Sequence, residues 1–291
     1  MSAVNLGTLS GSVIIFGGPY SNLAATEAMY QQAQQRGVAN THVICTGDVV
    51  AYCADAEATT QLIRNWGIPV VMGNCEESLG DEADDCGCGF DEGSTCSLLS
   101  VGWYNYATRQ ISDASRQWMK ALPRQILFTF AGKTFLCIHG GVDKINQFVF
   151  ASTSVDEKRA QFKGAQALAA LAGHTKIDAI IGGHCGIPFG ERIDAKHWLN
   201  AGVIGMPAND GTADGWFMQL SEKEGGILIE WHRLVYPVKA SQLAMQQAGL
   251  NTPYQQALAT GLWPSLDILP DTEKRATGKR LSLASAFFTA N

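Results

Sequence analysis

Four short segments each place a residue able to bind a metal directly after an apolar run. Gly47-Asp48 follows THVICT, Gly73-Asn74 follows PVVM, His139-Gly140 follows TFLCI, and Gly183-His184 follows DAIIG. Two imidazoles, a carboxylate and an amide oxygen together make a ligand set for zinc, manganese or iron(II). Such a centre polarises an ester oxygen and lowers the pKa of bound water.

The elements that must position these residues can be read around them. Each run is short, β-branched and followed by a polar residue, which predicts a buried strand. Open α/β sheets bind ligands beyond the carboxyl ends of their strands. The four residues are therefore expected along one sheet edge. Strands are predicted at 12–16, 42–46 and 68–72, with helices between them at 23–36, ending at Gly37, and at about 55–66, ending at Gly67. This β-α-β-α-β order implies parallel strands joined by right-handed crossovers. Ser112 is a cap for a helix over about 113–121, and Pro123 follows it. Residues 125–138 read as a hairpin turning at Ala131-Gly132, residues 154–172 as an alanine-rich helix, and 177–182 as a strand. Strands at 197–204, 215–220 and 226–235 complete the pattern, and no internal repeat is visible.

In this order the four segments resemble the calcineurin-like metallophosphoesterase superfamily. Its signature runs D-x-H, G-D, G-N-H-(D/E), H-G and G-H-x-H. The resemblance covers residues 13 to 220. Ser21-Asn22-Leu23 stands where members read H-S-N-L. Residues 200–207, NAGVIGMP, look like the N-P-G-S-V-G-x-P of the bacterial branch. The resemblance implies a two-sheet α/β/β/α sandwich and metal-dependent hydrolysis of a small phosphate ester. It also implies that Asp48, Asn74, His139 and His184 hold one divalent ion, with Asp48 and Asn74 orienting the attacking water.

The positions that would hold a second ion depart from the family. Gly18 and Tyr20 stand at the Asp and His of the first motif, and Gly186 at the second His of the last. Cys75 stands at the general-acid His. One ion is therefore expected, and a second only if substitutes complete its shell. Tyr20 reads either as a phenolate ligand or as a ring filling the missing ion's space. Proton donation to the leaving group falls to Cys75, Tyr20 or solvent. For anion contacts the candidates are Asn22, Arg192 and the amides of Gly17-Gly18.

Eight cysteines are present. Without a secretion signal they read as thiols, metal ligands or redox groups. Cys45 and Cys137 lie inside strand runs as small buried hydrophobes. Residues 79–103 form a Gly-rich, acidic insertion carrying Cys86, Cys88 and Cys96. With Cys75 and Cys185 these offer a possible second, sulfur-ligated metal site. A flexible loop with free thiols or a Cys86–Cys96 disulfide stands beside that reading. Asp81, Glu82, Asp84, Asp85, Asp91 and Glu92 read as a solvated acidic face.

The chain has 291 residues, a formal charge of −6 and 46% hydrophobic residues. This fits a metallophosphoesterase-like domain over 1–240 and a helical extension over 241–291, packed on the domain or on a partner. An oligomer is compatible with it. The acidic balance gives no support for nucleic-acid binding. No apolar run reaches bilayer length and the N-terminus has no signal-peptide pattern, so a cytoplasmic protein with no membrane association is expected. The alternative function is a catalytically weak relative that binds metal or responds to redox state through its cysteines.

Overall fold

Alternate residues of the strand at 12–16 face opposite ways, and both ways lead into a core. Val13 and Ile15 join one buried apolar cluster, Ile14 and Phe16 another, and all four are fully buried. The strand at 125–130 does the same, with Ile126 and Phe128 on one side and Leu127 on the other. Strands covered on both faces read as continuous apolar runs rather than alternating ones. The computed structural model describes residues 3–171 and 176–289. It stacks two sheets face to face, with helices on both outer faces, as the resemblance implies.

One sheet has six strands. In spatial order they are β1 (Ala3–Leu9), β4 (Gln125–Phe130), β5 (Lys133–Cys137), β6 (Ala179–Gly182), β8 (Lys196–Asn200) and β7 (Phe189–Ile193). The other has five: β11 (Ala286–Thr289), β10 (Gly226–Leu234), β9 (Gly215–Lys223), β2 (Ser12–Phe16) and β3 (Val43–Cys45). The pairs β2–β3, β1–β4, β5–β6 and β6–β8 are parallel; the others are antiparallel. Phe128, Phe135, Leu199, Met218 and Leu220 fill the space between the sheets. Helices α1 (Leu23–Gln35) and α2 (Ala56–Trp66) cover the five-stranded sheet through Met29, Ile63 and Trp66. Helix α6 (Val155–Leu171) covers the other through Phe162 and Ala165. Residue 172, the expected end of that helix, lies outside the described residues.

Several elements differ from the sequence expectation. Residues 68–72 make only one bridge to β3, at Val70. Pro69 has no N–H to give a ladder. It accepts from the Cys45 amide at 3.0 Å, and the Val71 amide returns a bond to the Cys45 carbonyl at 2.9 Å. Strands β1, β7 and β11 were not foreseen. The first is largely exposed and therefore carries no apolar run; β7 and β11 are short. The insertion is also more ordered than its glycines suggested, lying between α3 (Asn74–Gly80) and α4 (Thr95–Gln110) and running into the latter. Helix α5 (Asp113–Ala121) begins as expected, with the Ser112 hydroxyl accepting from the Ser115 amide.

Helices α7 (Val238–Gln247), α8 (Pro253–Thr260) and α9 (Asp271–Ala276) follow the sheets. The Ser241 hydroxyl donates to Asn22 Oδ1 at 2.6 Å, fixing α7 to the start of α1. The chain then returns along β10 as β11.

Candidate metal centre

Thr46, Asp48, Asn74, His139 and His184 converge from loops at the ends of β3, residues 68–72, β5 and β6. Asp48 and His184 have φ of 56° and 60°. This left-handed region is rare outside glycine and concentrates at functional sites. The loops meet closely: a Cβ on Gly73 would lie 2.4 Å from Asp48 Oδ1, so only glycine fits there.

The imidazole of His139 is the centre of the cluster. Its Nδ1 lies 2.7 Å from the Thr46 carbonyl oxygen and must donate a proton to it. Its Nε2 then faces Asn74 Oδ1 at 3.1 Å, His184 Nδ1 at 3.1 Å and Asp48 Oδ2 at 3.3 Å. The Asn74 amide is oriented by donation from its Nδ2 to the Cys86 carbonyl at 2.8 Å, so Oδ1 is the atom turned inward. Four lone-pair atoms thus point at one another, and only a proton or a cation can hold them together. A ring N–H given to a backbone carbonyl is also what orients a metal-bound histidine. Metal-ligating atoms of Asp48, His139 and His184 lie within 4.8 Å of one another, and all three residues are buried. The donor set therefore fits a divalent cation.

Electrostatics describe the proton-bound alternative. Burial opposes the charge on Asp48, but His139 overcomes it and holds the carboxyl below its ordinary value. Burial likewise opposes a charged His139, but Asp48 and the Thr46 carbonyl raise it above its ordinary value. Burial and the neighbouring His139 push His184 down to about 3. These shifts favour, in the absence of metal, an Asp48 carboxylate paired with a protonated His139 beside a neutral His184. A cation must displace the His139 proton. Metal titration in buffers of different ionisation enthalpy should show release of about one proton per ion where His139 is protonated. Because the proton competes, affinity should fall as pH falls through the raised His139 value. An affinity independent of pH would show that Nε2 does not meet the ion.

Glu76 is a member of the site that sequence reasoning missed. It is fully buried. Its Oε2 accepts from the amides of Asp48 at 2.7 Å and Gly73 at 2.9 Å, and its Oε1 from those of Val49 at 2.8 Å and Val50 at 3.4 Å. Burial and the Asp48 carboxylate lift Glu76 to about 7, against the donors that favour its ionised form. A Glu at the third position of a helix opening after Gly73 was the available signal.

The other expected residues are placed as follows. Tyr20 is buried beside Asp48, with its ring edge-on to Tyr52 at 4.8 Å. A Cβ on Gly18 would lie 2.6 Å from that ring, so the ring takes the space a side chain at 18 would need. Burial and Asp48 push the phenol well above its ordinary value, which disfavours a phenolate. A Cβ on Gly186 would lie 3.2 Å from the indole of Trp263. Cys75 and Cys88 both sit beside the Asn74 amide, with sulfurs 3.5 and 3.3 Å from Nδ2. Cys86 adjoins Cys88. Cys96 lies apart, beside Ser265 and Asp267, and Cys185 accepts from Asn200 Nδ2 at 3.2 Å. The five sulfurs do not meet at one point, and among the described residues no cysteine is in a disulfide. Burial pushes Cys75 up strongly and Cys185 to about 12, which favours the thiol form of both.

The expected anion donors are engaged elsewhere. Asn22 caps α1 and donates to the Gly205 carbonyl at 2.9 Å. The amides of Gly17 and Gly18 bond Gly202 and Gly47, and Arg192 donates to Asp194. The acidic residues at 81, 82, 84, 85, 91 and 92 are exposed, as read from sequence. Among the described residues no helix is long and apolar enough to cross a membrane.

The profile of the calcineurin-like phosphoesterase superfamily domain matches residues 13–223. An uncharacterised protein of Methanocaldococcus jannaschii is 25% identical over 238 residues, 76% of this chain and 86% of its own. A metallophosphoesterase from Sphaerobacter thermophilus superposes with a TM-score of 0.66 at 19% identity, over 87% of this chain and 100% of the other. A hypothetical protein from Pyrococcus horikoshii does so with a TM-score of 0.68 at 12% identity, over 86% and 98%. At such identities the solved structures establish a shared fold, while the profile spans most of the chain. The chain belongs to the calcineurin-like phosphoesterase superfamily.

Proposed function

We propose that this protein is a metal-dependent phosphoester hydrolase working with one divalent ion, zinc, manganese or iron, held by Asp48, Asn74, His139 and His184. The supporting observation is the convergence of four lone-pair atoms around His139 Nε2. A bound cation there supplies Lewis acidity and a water of lowered pKa. The chain's own residues do the rest. Thr46 fixes the His139 ring, the Cys86 carbonyl turns Asn74, and Glu76 holds the loop that presents Asp48. Tyr20 keeps its proton and lines the same cavity as Asp48, so it is the group placed to protonate a departing oxygen. Cys75 accepts from Cys88 and is not among the residues lining that cavity.

Protein stripped with chelator and reloaded with zinc, manganese or iron(II) should hydrolyse bis(p-nitrophenyl) phosphate. Turnover should lie below the roughly 10 s⁻¹ typical of enzymes. A general acid contributes about 10²–10⁴-fold, and here the family histidine is replaced. No release above the metal-free control with any ion would leave the non-hydrolytic, cysteine-based alternative.

A further inference from the structure

Asn146 lies outside the ligand set, yet it holds a segment that adjoins two of the ligands. Its Nδ2 donates to the Gly87 carbonyl at 2.8 Å. One residue earlier, the Cys86 carbonyl accepts from Asn74 Nδ2 at 2.8 Å. One residue later, the Cys88 sulfur lies 3.3 Å from the same Nδ2. Residues 86–88 of the insertion thus form a strap fixed by two asparagine amides.

The strap also reaches His184. That ring turns Nδ1 toward His139, while its Nε2 is buried without a hydrogen-bond partner. A metal-bound imidazole almost always donates its second ring N–H to an acceptor. Burial and His139 pull His184 down, but the backbones of Cys88 and Asn146 act the other way. That is the effect of carbonyl oxygens facing the ring. Phe148 stacks on His184 at 4.1 Å between centroids, and Phe90 stacks on Phe148 at 6.4 Å. Asn146 itself is carried by a tight turn that starts at His139. The Gly141 amide donates to the Lys144 carbonyl at 2.9 Å, and a Cβ on Gly140 would lie 2.3 Å from the Ile145 carbonyl oxygen.

We propose that Asn146 is a positioning residue: it anchors the 86–88 strap, which orients Asn74 and offers His184 Nε2 its acceptor. That role depends on the metal centre proposed above and deepens it.

Zinc affinity, read by competition with a chromogenic chelator, tests the role without turnover. Asn146→Asp keeps the shape and loses the N–H; Asn146→Ala loses the side chain. Both should weaken zinc about tenfold, the low end of the 10–100-fold effect of outer partners of metal ligands. The visible absorption of bound cobalt(II) should shift in both, because it reports ligand geometry. Ser94→Ala is the structural control. It removes the cap of α4 at the far end of the insertion, so it should lower the urea midpoint and leave zinc affinity and cobalt spectrum unchanged. Unchanged affinity and spectrum in the Asn146 variants would overturn the proposal whatever their stability, as would an equal effect from Ser94→Ala. The two readings separate. Wild-type protein that binds neither zinc nor cobalt removes the metal centre and the strap's role together. Wild-type binding that the Asn146 variants match removes the strap's role alone.

Discussion

A His139→Ala, His184→Ala double variant should lose the proposed stoichiometric ion and any metal-dependent turnover. Loss of a partner that merely orients a ligand costs about 10–100-fold in metal affinity, and here two ligand atoms disappear together. Elemental analysis after dialysis reads the result. Cys88→Ser is the control: it leaves the four lone-pair atoms in place and should keep its ion. The double variant also leaves Asp48 buried without its imidazolium, so circular dichroism must verify the fold. Asn74→Ala keeps the Asp48–His139 pair and should weaken the metal as well. One ion per chain retained in the double variant, and lost in Cys88→Ser, would move the centre to the sulfurs.

Glu76→Ala should destabilise the protein by about 3–5 kcal/mol. The substitution strands backbone donors of Gly73, Asp48, Val49 and Val50. A buried donor left unsatisfied costs about 1–3 kcal/mol, and entering water recovers part of the total. Glu76→Gln keeps one acceptor but turns an N–H toward other N–H groups, so its cost should be intermediate. Urea unfolding measures both. A loss under about 1 kcal/mol for the alanine variant would show that the loop holds itself. Metal affinity should drop with stability, since Asp48 keeps its left-handed backbone only while that loop is fixed.

The strands ending at Asp48, His139 and His184 were legible because both of their faces are buried, which leaves uninterrupted apolar runs. The hairpin at Ala131-Gly132 was legible for a local reason: both turn residues have positive φ, 46° and 75°, the type I′ requirement. What failed to show was either exposed or distant. β1 has almost no buried side chains, so nothing periodic marks it. Pro69 blocked a ladder in a segment whose composition alone suggested a strand. The aromatic rings lining the cavity beside Asp48 had no sequence signature, because they run from Tyr20 to Trp263 and only tertiary packing unites them. Glu76 was visible as a residue but not as an anchor, since its four donors lie on a loop some 25 residues upstream and on its own helix cap.

The fit of Tyr20 over Gly18, and of Trp263 over Gly186, bears on how such a site changes over generations. An aspartate placed at 18 would meet a ring already in its place, and a histidine placed at 186 would meet an indole. Both positions also have left-handed backbone, with φ of 47° and 72°, and Val203 lies 2.6 Å from a Cβ at 18, so clearing the aromatic alone does not make room for a side chain there. Side chains at these two positions are therefore coupled to Val203 and to the local backbone as well as to the covering aromatics. A single substitution at 18 or 186 adds no free ligand position, because each side chain there would have to displace its neighbours.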